Sequence, residues 1–113
     1  MEEQSEYKAG VTAAQIEAWK QHYGIDQVFE ISVPLDDDNK EFVTGYFKKP
    51  NLQAISASAK VIEMDPIKAG IIMFDNCWLG GDEKFKNNDE AKMSAIDELN
   101  KLFQIRTAHV KNL

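Results

Sequence analysis

Residue types capable of chemistry are present in this chain, but their spacing does not assemble them. Asp36-Asp37-Asp38-Asn39 offers a run of oxygen ligands. A calcium loop of the EF-hand type needs ligands at alternating positions, a glycine at its sharp turn and a distal bidentate glutamate. This run has no glycine and no helix before it, so a solvated hairpin turn is expected. His22 and His109 are the only histidines and lie near opposite ends of the chain. Zinc needs about four N, S or O ligands in fixed geometry, and no HxxxH or HExxH spacing exists, so both read as surface residues. Cys77 has Asn76 and Trp78 as neighbours. Neither is a base that would lower its pKa for nucleophilic work, and a small buried helix residue is expected. Ser56 and Ser58 lack a GxSxG elbow. Gly80-Gly81 fits neither the Walker nor the GxGxxG pattern and reads as a helix stop. Glu63 with Asp65, and Asp82 with Glu83, are ordinary surface acids with nothing to drive their pKa values apart. No enzyme activity, metal or cofactor is expected.

The elements that carry these residues are legible in outline. Residues 1–10 are polar and aperiodic and are expected to form a flexible arm, with one domain over 11–113. Thr12 with Gln15 makes a capping-box pattern. Ile16, Trp19 and Tyr23 follow at helical spacing, and Gly24 supplies a C-terminal stop. Val28 to Val33 alternates, with Phe29, Ile31 and Val33 on one side, as in a half-buried strand. A second strand, Phe42 to Phe47, completes an antiparallel hairpin. A two-stranded hairpin is marginal alone, so it must lean on helices or pair with another chain.

Asn51 is a helix N-cap, and Leu52, Ile55, Ala59 and Ile62 form an apolar stripe. Ala54, Ala57 and Ala59 with Ser56 and Ser58 give a small-residue surface that another element can approach. Asp65-Pro66 restarts the chain as a further helix, whose buried face is expected at Ile67, Ile71, Phe74 and Trp78. Residues 82–88 read as a charged connection, with a capping box at Asn87 and Glu90. A last helix from about Asp89 carries Met93, Ile96, Leu99 or Asn100, and Phe103, widened by Leu102 and Ile105. The sum is an α+β fold: an N-terminal helix, an antiparallel hairpin, then a three-helix C-terminal half.

Bulk composition narrows the function classes. With 113 residues the chain holds one domain. Its 43% hydrophobic and 28% charged residues match a globular protein rather than a disordered one. The formal net charge of −6 repels nucleic acid and anionic membrane and favours a basic partner surface. Lys48-Lys49 is too short a cluster to reverse that. One cysteine permits no internal disulfide, which fits a reducing compartment. The acidic N-terminus has no signal-peptide pattern, and no apolar run approaches a membrane span. A cytoplasmic location is expected.

Residues 41–103 carry a family resemblance. Gly45-Tyr46-Phe47-Lys48-Lys49-Pro50 runs into a helix with Leu52; Asp65-Pro66-Ile67 follows, then Phe74-Asp75-Asn76-Cys77-Trp78-Leu79-Gly80-Gly81, a charged gap and a final amphipathic helix. This order resembles the tail assembly chaperones of long-tailed bacteriophages and prophages. The resemblance implies an α-helical core and binding to the phage tape measure protein, and to the tail tube protein as a further partner, in the cytoplasm of a bacterial host. It carries over no catalytic residue. The residues themselves put Tyr46, Leu52, Ile55, Trp78, Leu79, Ile96 and Phe103 forward as protein-interaction candidates, with self-association as a further expectation. The Leu52–Ile62 and Met93–Phe103 stripes either dock amphipathic partner segments or pack on each other. Trp78 is either core or an interface anchor. A second function of a different kind fits the charge: a small acidic phage inhibitor that occupies the basic cleft of a host nucleic-acid enzyme.

Overall fold

The computed structural model describes residues 7–36, 38, 40–102 and 108–113. Thr12 opens α1 (Ala13–Tyr23): its hydroxyl accepts from the Gln15 N–H at 3.2 Å, and Gln15 Oε1 accepts from the Thr12 N–H at 3.0 Å. This reciprocal pair satisfies donors that a helix start leaves orphaned. Gly24 ends the helix. Strand β1 (Val28–Pro34) then pairs antiparallel with β2 (Phe42–Lys48), with Ile31 opposite Gly45. The alternation read from the sequence is therefore the alternation of the sheet: Phe29, Ile31 and Val33 share a face with Val43 and Phe47, while Glu30 and Ser32 share the other with Thr44 and Tyr46.

Asn51 caps α2 (Leu52–Ala59) by accepting from the Ala54 N–H at 2.9 Å. Asp65 caps α3 (Pro66–Cys77) by accepting from the Lys68 N–H at 3.0 Å, with Pro66 at the first helical position. The small-residue surface of α2 meets α3 closely. Ala54 and Ser58 are buried, and the Ser58 hydroxyl donates to the Ala69 carbonyl at 2.8 Å.

Three features depart from the sequence reading. The helix expected to include Trp78 stops at Cys77, and Trp78–Gly81 forms a strand, β3, antiparallel to β2 in a sheet of order β1-β2-β3. Gly80-Gly81 is thus part of a strand rather than a helix stop. The hairpin gains its third strand from its own chain. Gly81 has φ 140° and sits where an added Cβ would lie 2.5 Å from the Thr44 carbonyl oxygen, so only glycine allows this approach. The supposed connection 82–88 contains a short helix, α4 (Glu83–Asn87), whose Phe85 is fully buried. The cap of α5 (Asp89–Leu102) is Asn88 rather than Asn87, its side chain accepting from the Ala91 N–H at 2.8 Å. Four helices, not three, therefore follow the hairpin among the described residues.

Helices cover both faces of the sheet. On one face Val43, Phe47, Met73, Phe74, Cys77, Phe85, Ala95 and Leu99 form the main core. On the other, α1 packs Ile16 and Trp19 over Tyr46, with Val11 and Leu79 beside them. Residues 7–10, expected to belong to a flexible arm, pack against the sheet. Residues 8–10 form a 3-10 turn, and Tyr7 sets its ring edge-on to Tyr46 at 6.4 Å; residues 1–6 lie outside the described residues.

Candidate functional site

Several of the chemistry-bearing residues of the sequence have a local task. Asp36 Oδ1 accepts from the Lys40 N–H at 2.9 Å, closing the hairpin turn; Asp37 and Asn39 lie outside the described residues. Asp82 accepts from the Thr44 N–H at 2.9 Å and returns its own N–H to the Thr44 carbonyl at 2.9 Å. It prolongs the β2–β3 pairing and is no partner for Glu83. Cys77 is fully buried, and burial pushes its thiol up to about 11, so it is not a ready nucleophile. His22 packs edge-on against Tyr23 at 4.5 Å and is exposed. Among the described residues no three His, Cys, Asp or Glu side chains gather where they could hold a metal ion.

The seven interaction candidates divide by burial. Tyr46 and Ile96 are inside the fold. Tyr46 lies under α1 because its face of β2 is roofed, not open. Its hydroxyl donates to the Lys8 carbonyl at 3.2 Å, with Glu30 Oε1 3.5 Å away. Burial, then the Glu30 charge, push its pKa up to about 12. Ile96 presses on Gly70 of α3. Ile55 is half-buried against the main core, and Leu79 against the α1 core. Trp78 is held from several sides. It stacks on Phe74 at 5.5 Å and meets Phe47 and Phe85 edge-on at 5.4 and 5.9 Å, with Lys86 Nζ 5.6 Å from its ring. That is a core position. Leu52 is exposed, and Phe103 lies outside the described residues.

The Leu52–Ile62 stripe does not pack as one face. Ala54 and Ser58 take the inward side, and α2 ends at Ala59, before Ile62. Ile67, placed on the buried face of α3 by the sequence, is 60% exposed, and Met64 is 90% exposed. Met93 is also exposed, because Ala91, Ala95, Ile96 and Leu99 form the inward face of α5. An apolar corner results. Ile62, Met64 and Ile67 project where α2 turns into α3. Beside them a groove of about 280 Å³ runs between α3 and α5, lined by Ile62, Pro66, Met73, Met93 and Ile96. Sequence reasoning missed Met64 altogether. Its signal was there: a methionine in a turn is a flexible, adaptable apolar contact.

A second groove, of about 740 Å³, lies on the adjacent side of α5, between its Met93–Leu102 face and β1. Phe29, Ile31 and Val33 form its floor, and Asp97 and Glu98 its rim. Met93 and Asp97 border both grooves.

No helix among the described residues is long and apolar enough to cross a membrane. No family model matches the chain, and no curated protein matches it. Its fold is similar to that of the uncharacterised protein rbstp2171 from Bacillus stearothermophilus, with TM-score 0.59 and 17% identity over 86% of this chain and 99% of that one. At that identity the likeness concerns the fold alone.

Proposed function

We propose that this chain is a non-enzymatic protein-binding module, acting as a phage tail assembly chaperone that holds helical segments of the tape measure protein in the cytoplasm of a bacterial host. The observation that carries the binding reading is the apolar corner at Ile62, Met64 and Ile67 beside the α3–α5 groove. Large apolar side chains grouped on a surface mark interaction sites more often than scattered ones do. A groove between two helices, floored by Met73 and Ile96 and edged by Met93, suits an amphipathic helix that lays anchors into it at three- and four-residue spacing. The acidic surroundings keep such a protein soluble while its apolar corner is unoccupied. The order of motifs over residues 41–103 supplies the phage part of the proposal.

Co-production of a tagged chain with a tape measure protein tests it. Co-purification that is lost in Met64→Lys with Ile67→Lys is the expected result. Equal co-purification by that variant would move the site elsewhere. Salt-sensitive capture of one basic host enzyme, with no affinity for tape measure protein, would replace the chaperone reading with the inhibitor.

A further inference from the structure

Strand β1 is an edge of the sheet, and its pairing shows which of its backbone groups face outward. The Leu35 N–H donates to the Glu41 carbonyl at 2.7 Å, and the Lys49 N–H donates to the Gln27 carbonyl at 2.7 Å. Hydrogen-bonded positions alternate along an antiparallel pair. Odd-numbered residues of β1 therefore direct N–H and C=O to β2. Val28, Glu30 and Ser32 direct theirs to the open edge, and Pro34 adds a carbonyl without a donor. Among the described residues β1 pairs with β2 alone. The other edge, β3, is four residues long and contains two glycines, which blunts it as a pairing template. Among the described residues the seven-residue β1 has no such protection apart from Pro34 at its end, and the 740 Å³ groove beside it has room for another strand.

Among the described residues the groove lining contains the carboxylates of Asp97 and Glu98 and no lysine or arginine; Glu30 also borders it, but its side chain lies on the Tyr46 face. Lys101 reaches Asp97 and Glu98 from outside at 3.4 and 3.1 Å, and Lys8 reaches Glu30 at 3.8 Å; all are solvent-exposed pairs that a competing cation can displace. The acids are segregated along the chain, while the cations are spread over it. Residues 1–98 hold every Asp and Glu; residues 99–113 hold three of the cations and no acid. Residues 108–113 have no regular structure, and within them Val110 is 94% exposed and Leu113 wholly so. In an extended conformation His109, Lys111 and Leu113 share one face and Val110 the other.

We infer that residues 108–113 of one copy add as a strand to the β1 edge of a second copy, filling the groove between β1 and α5. The basic face meets Asp97 and Glu98, Leu113 settles against the apolar floor, and Val28, Glu30 and Ser32 gain backbone partners. This contact is head-to-tail: each copy offers one tail and one groove, so it propagates into rings or chains. It uses the neighbouring side of α5, sharing Met93 and Asp97 with the α3–α5 groove, and its test reads oligomeric mass rather than client binding, so its failure is distinguishable from failure of the chaperone reading. A six-residue strand buries less than the roughly 1,200 Å² of a standard interface, so the assembly dissociates on dilution and weakens with salt.

Light scattering on the eluting full chain, over a range of concentrations at low and high salt, tests this. The mean mass is expected to rise with concentration at low salt and to fall toward one chain at high salt. A tail variant, Val110→Asp with Lys111→Glu, and a groove variant, Asp97→Lys with Glu98→Lys, should each lose the rise. All four positions are exposed, and circular dichroism checks that both variants fold. Mixing the two variants should restore association, because an intact tail then meets an intact groove. A wild-type chain that stays monomeric throughout overturns the proposal, including the case where its own tail folds back and its amides become protected from exchange. A tail variant that assembles as well as the wild type also overturns it, and points to β1 pairing with β1 of another copy.

Discussion

The two faces of the sheet are built to different standards. Toward α3, α4 and α5, the rings of Phe47, Phe74, Trp78 and Phe85 lie within 5.2–5.9 Å of one another, and every one of these pairs is in contact. Gly45 lets this happen: an added Cβ there would lie 2.6 Å from Trp78 and 3.2 Å from Phe85. Toward α1 the cover is one helix, and buried Tyr46 carries most of the contact, with Trp19 6.0 Å from it and only partly buried. The first face holds the fold. The second trades apolar area for a buried hydroxyl and a short N-terminal segment laid across it. The exposed apolar corner belongs to neither core, so under the proposed function stability and binding are separated in this small domain.

The largest effect expected is on the first face. Trp78→Ala should cost about 3–5 kcal/mol, in the range of aromatic truncations in a packed core, measured by urea denaturation. Retention of near wild-type stability would show that Trp78 is not part of the core. Trp19→Ala, on the α1 face, should cost less, roughly 1.5–3 kcal/mol; an equal or greater loss would erase the contrast between the faces. Tyr46→Phe keeps the ring and removes the hydroxyl, and should cost about 1 kcal/mol.

Alkaline pH sharpens the same contrast. Burial, and next the charge of Glu30, raise the Tyr46 phenol from 10.0 to about 12. The folded state therefore holds this proton more tightly than the unfolded chain does. Its contribution to stability is complete below pH 10 and is lost as pH climbs from there toward 12. Cys77, raised by burial from 9.0 to about 11, adds a loss between those values. Tyr46→Phe should remove the upper part of the alkaline decline and leave the part due to Cys77. An unchanged profile above pH 10 would contradict the placement of the hydroxyl. The smallest stability effect is expected at the corner: Met64→Lys with Ile67→Lys should change folding by less than about 0.5 kcal/mol.

Local chemistry was legible in the sequence, and long-range pairing was not. Thr12 with Gln15 and Asn51 cap helices as read, and Asp65-Pro66 restarts one with Pro66 in its first position, because a helix start is decided within four residues. The alternation of Val28 to Val33 gave β1 and its two faces. Strand β3 stayed hidden because Trp78-Leu79-Gly80-Gly81 follows α3 with no break and pairs with residues 45–47, more than thirty positions earlier. Helix α4 is one turn with a single buried residue, Phe85, too short for a period to show. The candidate site was misread where small residues won the interior. Ala54, Ser58, Ala69 and Ala95 let helices approach, and that contact left Ile67 and Met93 outside. Hydrophobic periodicity weighs side-chain size and has no term for closeness of approach.

Amide hydrogen exchange on the chain with and without tape measure protein tests the central claim most directly. The claim predicts slowed exchange at residues 60–68 and along the exposed side of α5 near Met93, with α1 and the hairpin turn unchanged. Slowing confined to α1 and the hairpin turn, or none anywhere, would contradict it.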